Sequence, residues 1–462
     1  SHGIRAGICE PGPQQIGREV PVPIANAGIC YLGDNEKSAK CTNDELRSFS
    51  NTMVPTDRLA KGSFVNGNQS LYYWMNGLFV SSNIEASVLI MRFVNSLIMI
   101  VLLILAWNSA TRERNHMLWT VLLFTSVPVF VFIANSNNSS SWAFLGAGFG
   151  WYFADAAIDT ESQQYRNFAI AGLIACLALC AASRSDALAF FAIQLLFVIF
   201  LRVGALGVRS PNTLGTAVAI IGTIVAGFSL MMTGALAFLR SGFSYVFDDT
   251  PLQRNGRWIL VHNIQAVSDL YVGLVGGIRG VGASDTELYG FVRLAMISAL
   301  GFIVITALRG SSSRAKYLFV GLISICLILP LWILQVSKLV VGEELLPRYL
   351  YPLFVFVVAF CFIQRETPLD VSKNQILTLS VAVAIAHSIS LRQVLLRHTI
   401  GIEEYGLINL DQHREWWWKI PVLATPMTVW ILGSITFAYL AIYIGRTLGT
   451  GQIFQNQAKI VA

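Results

Sequence analysis

An arginine stands inside an apolar run at "LLPRYLYPLF", residues 345–354. A charge at the centre of a membrane helix costs about 2.5–3.5 kcal/mol on insertion scales, so Arg348 needs a physical reason to be there. Two readings are open. The side chain can snorkel, its stem packed and its head among lipid phosphates. Alternatively its planar fork grips a bound phosphate in two-point fashion. Tyr349 and Tyr351 would then add hydroxyl donors, with Pro347 and Pro352 fixing the entry of the helix.

Other polar groups lie at the edges of apolar runs. "CAASRSDALAFF" (180–191) carries Arg184 and Asp186, which either pair with each other or line a polar cleft. "ANSNNSSSWAFLGAG" (134–148) places seven consecutive polar residues before an apolar run. It reads as a loop with a Ser N-cap, or as a helix start whose free backbone N–H groups favour an anion. Asn137 in this run is a candidate for the cleft. "GASDTELYG" (282–290) offers Asp285 and Glu287, either as helix-start capping chemistry or as a catalytic carboxylate. "EWWWK" (415–419) fits an interfacial aromatic belt or a wall on which a sugar stacks. No nucleotide-loop, hydrolase or zinc-protease fingerprint is present, and the six His residues are scattered. The apolar runs read as clean, with polar residues gathered at their external ends rather than in the ladder an ion-coupled transporter carries.

The elements that must position these groups are membrane helices. The 462 residues are 55% hydrophobic and 13% charged, with mean hydropathy +0.60; a soluble domain is about one quarter charged. The fold class expected is an all-α polytopic membrane bundle. Eleven windows have the length and hydropathy of spans: 86–107, 117–134, 140–156, 166–182, 186–202, 213–239, 288–308, 315–336, 346–363, 374–391 and 422–444. The segments 140–156, 166–182 and 186–202 are short enough to be tilted, re-entrant or buried inside the bundle.

Basic residues set the orientation. One set of alternate loops holds Arg112, Arg114, Arg166, Arg202, Arg209, Arg309, Arg314, Lys316, Arg365 and Lys373, with Arg446 and Lys459 in the tail. The short loops opposite hold only Arg184 and Lys338. The positive-inside rule therefore puts the C-terminus in the cytoplasm and residues 1–85 outside. The four basic residues of 392–421 run against this assignment. The net charge of +6 forms no basic stripe clear of the membrane, so nucleic acid is not an expected partner.

The organisation expected is a first external loop over 1–85, helices over 86–239, a second external excursion over 240–287, helices over 288–391, a third loop over 392–421 and a last helix and tail over 422–462. The first loop ends in "QSLYYWMNGLFVSS" (69–82), an amphipathic segment that sets Tyr72 and Tyr73 at headgroup depth. In the second, 258–278 carries His262, Asn263, Gln265 and Asp269, too polar for a lipid-facing span, and reads as an interfacial or re-entrant helix. Cys30 and Cys41 bound a short loop; outside the cell they suggest a disulfide, the alternative being two free thiols. Cys176, Cys180, Cys326 and Cys361 read as packing residues. The start, "SHGIRAGICEPG", has neither initiator Met nor signal peptide yet opens into an external loop, which predicts a preceding helix and about twelve spans in all.

These pieces, in this order, resemble the domain of unknown function 2142 family, mostly actinobacterial polytopic membrane proteins similar to GT-C glycosyltransferases. "VPVPIANAGICYLGDNEKSAKC" resembles the family's Cys-bounded stretch, "GNQSLYYWMNG" its "PPLYY…G" element and "ANSNNSSSWAFLGAG" its "NPSG" helix start. "AASRSDALAFF" resembles the Arg-bearing turn. "GIRGVGASDTELY" resembles "GWLDTPLP" without its Trp-Leu. "LLPRYLYPLF" resembles "GRYLLPLLP" with Pro347 in place of Gly, and "INLDQHREWWWKIP" the closing "NF…W.PP" piece.

The resemblance implies transfer of a sugar from a polyprenyl-phosphate donor to a cell-envelope glycan or lipid acceptor, on the external face of a bacterial plasma membrane. Other membrane or cell-envelope proteins are partners of the kind it implies. It places the general base upstream of Ser1, with His2 and Arg5 flanking the site, and sets Arg348 against the donor phosphate. Tyr72, Tyr73, Asn137, Arg184, Asp186 and Asp285 are the candidates for lining the cleft. Some GT-C enzymes use a divalent cation, for which no ligand set stands out. Two other classes remain: a lipid-linked glycan flippase, and a non-catalytic scaffold subunit.

Overall fold

The computed structural model describes residues 19–21, 31, 34, 36–41, 53–55, 71–110, 112–160, 162–205, 213–232, 255–277, 281, 286–343, 345–363, 371–401, 408–412, 415 and 425–449. Strands β1 (Glu19–Pro21) and β2 (Met53–Pro55) come first. Helices α1 (Leu71–Gly77), α2 (Ile84–Asn108), α3 (Arg112–Thr125), α4 (Pro128–Ala134), α5 (Ser140–Asp159), α6 (Gln163–Ser183) and α7 (Ser185–Ile199) follow. A π-helical turn (Phe200–Ala205) leads to α8 (Thr213–Met232), α9 (Gly256–Leu274), α10 (Gly290–Arg309) and α11 (Ser313–Ser337). A 3₁₀ turn (Pro347–Leu350) runs into α12 (Tyr351–Ile363), then α13 (Lys373–Thr399) and α14 (Pro426–Gly449).

Helix starts obey local chemistry. Asn83 accepts the Ala86 N–H at 3.0 Å ahead of α2. Ser372 and Gln375 form a reciprocal capping box ahead of α13. The expected all-α class needs one correction: β1 and β2 form a two-stranded antiparallel ribbon, with Val20 opposite Val54.

Each of the eleven windows overlaps a helix, but fewer qualify as crossings. Among the described residues six helices are long and apolar enough: α2, α6, α10, α11, α13 and α14. A seventh arises if α3 and α4, bent by 101° at their junction, count as one broken span. The expected count of eleven is therefore not carried by length and hydropathy. α5 and α7 are among the helices left out. Every residue of α5 from Ser140 to Ile158 is buried in protein. α7 has 15 residues, about 22 Å at 1.5 Å per residue, short of a 30 Å core.

α5 is the axis of the bundle, with α6, α7, α8 and α12 packed around it. Its sequence, "SSWAFLGAGFGWYFADAAID", alternates small residues with aromatics. Helices in lipid gain nothing from burying Leu against Leu, so close packing of small residues holds them together. A Cβ at Gly146 would come within 2.6 Å of Cys180 Sγ, and one at Gly172 within 2.3 Å of the Phe153 ring.

α9 covers the stretch expected as interfacial or re-entrant. It exposes Trp258, Val261 and Ile264 and buries Ile259, Asn263 and Leu270. The fully buried Asn263 donates to the Leu339 carbonyl and accepts from the Val341 N–H, each at 2.9 Å. It thereby fixes the turn that leads into Pro347–Leu350. α1 likewise turns Leu71, Trp74, Met75 and Leu78 outward while burying Tyr72 and Asn76. That apolar stripe at i, i+3, i+4 and i+7 is the amphipathic pattern expected of this segment.

α13 continues to Thr399, past the expected end at 391, because its last turn is anchored. Arg397 is fully buried and donates to the Lys37 carbonyl at 2.6 Å and the Tyr31 carbonyl at 2.8 Å. Ala39 N–H donates to the His398 carbonyl, and Glu415 N–H to the Thr399 carbonyl. Ser38 and Lys40 both contact the Glu415 carboxylate. A piece of the first loop is thus clamped to the end of α13.

Candidate functional site

The turn Pro347–Leu350 carries Arg348 to one end of the bundle. Pro347 opens the turn after an extended Leu346, and α9 packs against it. Arg184 lies in the break between α6 and α7, held extended at φ −153° and ψ 147°. α5 begins beside both.

These three segments enclose a small cleft. Its walls are Ser140 and Phe144 from α5, Arg184, Asp186 and Phe190 from the α6–α7 corner, and Arg348, Tyr349 and Pro352 from the turn. The Arg184 Nε–H donates to Asp186 Oδ1 at 2.8 Å, and the Arg184 guanidinium lies 3.7 Å above the Tyr349 ring centroid. The Arg348 guanidinium lies 5.4 Å from the same ring. Its Nε is buried without a hydrogen-bond partner, and so is the Ser140 hydroxyl. Buried donors left unpaired cost about 1–3 kcal/mol each. Two such groups lining one cleft from different elements mark a place where an acceptor oxygen fits.

The cleft is narrow and only partly open. It has room for roughly one water, far below the ~300–1,000 Å³ of a site that encloses a drug-sized ligand. The scale suits a single oxygen of an anionic headgroup, the rest of which lies outside the cleft.

Arg348, Tyr349, Arg184 and Asp186 are therefore brought together. Tyr351 is not. Its hydroxyl donates to the Thr125 carbonyl at 3.0 Å, and its ring stacks on Phe144 at 4.2 Å, fully buried. That carbonyl is freed by the α3–α4 bend, so Tyr351 serves the bend and not a ligand. Asn137 is exposed and donates to the Val88 carbonyl, away from the cleft. The N–H groups that the anion reading of this helix start would leave free are taken. Ser140 N–H goes to the Asn138 side chain, Ser141 N–H to the Asn138 carbonyl and Trp142 N–H to the Ser139 carbonyl. What stays unpaired is the Ser140 hydroxyl, which the sequence reading passed over. Tyr72 sits in a neighbouring cluster, edge-on to Trp142 at 5.0 Å and to Tyr73 at 5.2 Å, with Ala182 beside them. Burial pushes the Tyr72 phenol well above its ordinary pKa.

His2, Arg5, Asp285 and Cys30 lie outside the described residues. Cys41 is disulfide-bonded. Among the described residues no group of three His, Cys, Asp or Glu side chains is placed to hold a metal ion.

A second polar cluster lies at the far end of α5. Asp155 is fully buried, 2.7 Å from Arg202 Nε and 3.4 Å from Arg114 Nε, the longer contact being an ion pair only. Asp159 pairs with the same two arginines. Fifteen residues of helix, about 22 Å, separate Ser140 from Asp155. Arg114 and Arg202 thus meet at one end of α5 and Arg184 and Arg348 at the other, as their loop positions require. The reading of clean spans needs correcting here, since Asp155 lies within 140–156.

Residues 2–357 match the family model described as predicted membrane protein (DUF2142). The chain belongs to that family. The DUF2142 match runs from the first loop through Arg348 and ends inside α12, ahead of α13, α14 and the tryptophan run at 416–418. No curated protein and no solved structure matches the chain. The cleft of this DUF2142 member draws every wall from within the matched residues.

Proposed function

We propose that this protein is a GT-C-like glycosyltransferase whose cleft grips the phosphate of a polyprenyl-phosphate sugar. One observation carries the reading: Arg348 and Arg184, more than 160 positions apart, face one small cleft in which Arg348 Nε is buried and unpartnered. A lipid-linked donor reaches such a site from the bilayer and needs no nucleotide. The asymmetry of basic loops supports an extracytoplasmic cleft with the Asp155 cluster on the cytoplasmic side.

The chemistry follows from charge. As the bond between anomeric carbon and phosphate oxygen breaks, the carbon gains positive character and the phosphate gains negative charge. Arg348 stabilises that charge in a water-poor cleft, where a fixed guanidinium is worth more than in water. Tyr349 holds both guanidiniums near its ring face. The acceptor hydroxyl loses its proton to a carboxylate as it attacks.

The test is donor consumption. Purified protein is incubated with a panel of polyprenyl-phosphate sugars and an envelope acceptor extract. Turnover of at least one donor is expected, with a loss of about 10²–10³-fold in a folded Arg348→Ala variant. Full turnover in that variant would remove Arg348 from the mechanism. Transbilayer movement of a donor without its consumption would favour a flippase.

A further inference from the structure

The cleft holds two guanidiniums but only one free positive charge. Asp186 neutralises Arg184 through the 2.8 Å hydrogen bond, and Arg184 is covered by the Tyr349 ring. Arg348 keeps an unpaired Nε. The sum over the titratable cleft walls is one positive charge, from Arg184 and Arg348 less Asp186. The opposite wall adds a neutral donor, the Ser140 hydroxyl, which is 1% exposed and unpartnered.

We infer that Asp186 is a charge selector, so that the cleft prefers a phosphodiester, with one negative charge, to a diphosphate linkage or a terminal phosphate. This rests on the phosphate-binding reading above and goes beyond it. A terminal phosphate carries about −1.5 to −2 at neutral pH. A diphosphate diester carries two charges and a second phosphorus. Either would leave one charge uncompensated in a site with little room for water, which is costly. A phosphodiester has two non-bridging oxygens. The cleft has room for one of them, toward which Arg348 and the Ser140 hydroxyl both face. Asp186 is here a positioning and selecting residue, because it acts through Arg184.

The full chain in lipid nanodiscs is titrated at pH 7.5 with three water-dispersible probes of equal alkyl length: a dialkyl phosphate, a monoalkyl phosphate and a dialkyl diphosphate. Wild type is expected to bind the dialkyl phosphate tightest. Asp186→Asn keeps a hydrogen bond to Arg184 but drops the charge. It should shift the preference toward the two more highly charged probes by about tenfold. Asp186→Glu keeps the charge and should keep the wild-type order. Ser140→Ala should weaken all three probes about fivefold. It should also leave the melting temperature unchanged or raised, because it removes an unpaired buried hydroxyl; a structural serine would lower it.

Arg348→Ala separates the two failures. If it binds all three probes like wild type, the cleft is not a phosphate site and the reading above falls. If it loses them while Asp186→Asn leaves the order within twofold, only the selector is wrong. If Asp186→Asn abolishes donor turnover without changing probe preference, Asp186 is a catalytic group and the selector is overturned.

Discussion

Replacing Arg397 by Ala should release the first loop from the end of α13. The guanidinium is fully buried and makes two charge-assisted hydrogen bonds, at 2.6 Å to the Lys37 carbonyl and 2.8 Å to the Tyr31 carbonyl. Each such bond contributes about 1.5–3 kcal/mol, so the pair contributes about 3–6 kcal/mol to docking. The freed carbonyls reach water once the loop lifts, so the loss shows as local opening and not as global unfolding. An opening constant larger by roughly 10²–10⁴ follows, at 1.4 kcal/mol per factor of ten. The reporter is the Ala39 amide, which donates to the His398 carbonyl at 2.9 Å. Its hydrogen exchange, read by mass spectrometry on the peptide that contains it, should speed up by that factor while peptides from α5 do not change. Arg397→Lys keeps the charge but loses the fork, so it should fall between the two. Unchanged Ala39 protection in Arg397→Ala would refute the anchor.

Other substitutions separate structural from functional roles. Gly172→Leu drives a side chain into the Phe153 ring, already 2.3 Å from a built Cβ, and should lower stability by about 1–3 kcal/mol in a detergent melt. Tyr351→Phe frees the Thr125 carbonyl and should cost about 1–3 kcal/mol while leaving donor affinity within about twofold; a large drop in affinity at unchanged stability would return Tyr351 to the phosphate site. Asp155→Ala leaves Arg202 and Arg114 without their buried partner and should cost about 3–5 kcal/mol, read as a lower melting temperature. A milder effect there would mean that Asp159 compensates for both arginines.

Arg348 and Arg184 were legible because a charge beside an apolar run is costly and therefore conspicuous. Asp155 sends the same signal inside 140–156, but in a run ending "WYFADAAID" it passes for the edge of a span. Tyr351 was misplaced because its partner is a carbonyl released by a bend more than 200 positions away, and no local pattern encodes that. Of the two readings open for the start of α5, the anion site meets a local obstacle: the Asn138 side chain and carbonyl take the Ser140 and Ser141 N–H groups, leaving the hydroxyl of Ser140. Arg397 was counted as a loop charge because hydropathy falls before it. Only the docked carbonyls of residues 31 and 37 explain why the helix runs on. Of the eleven windows, six helices, or seven with the bent pair, carry the length and hydropathy of a crossing among the described residues.

The most direct test of the phosphate grip is a cryo-EM map of the protein with a bound polyprenyl-phosphate sugar. Expected is phosphorus density between Arg348 and Ser140, with oxygens within about 3 Å of both. A headgroup resolved elsewhere, with the Arg348 side chain turned among acyl chains, would contradict it.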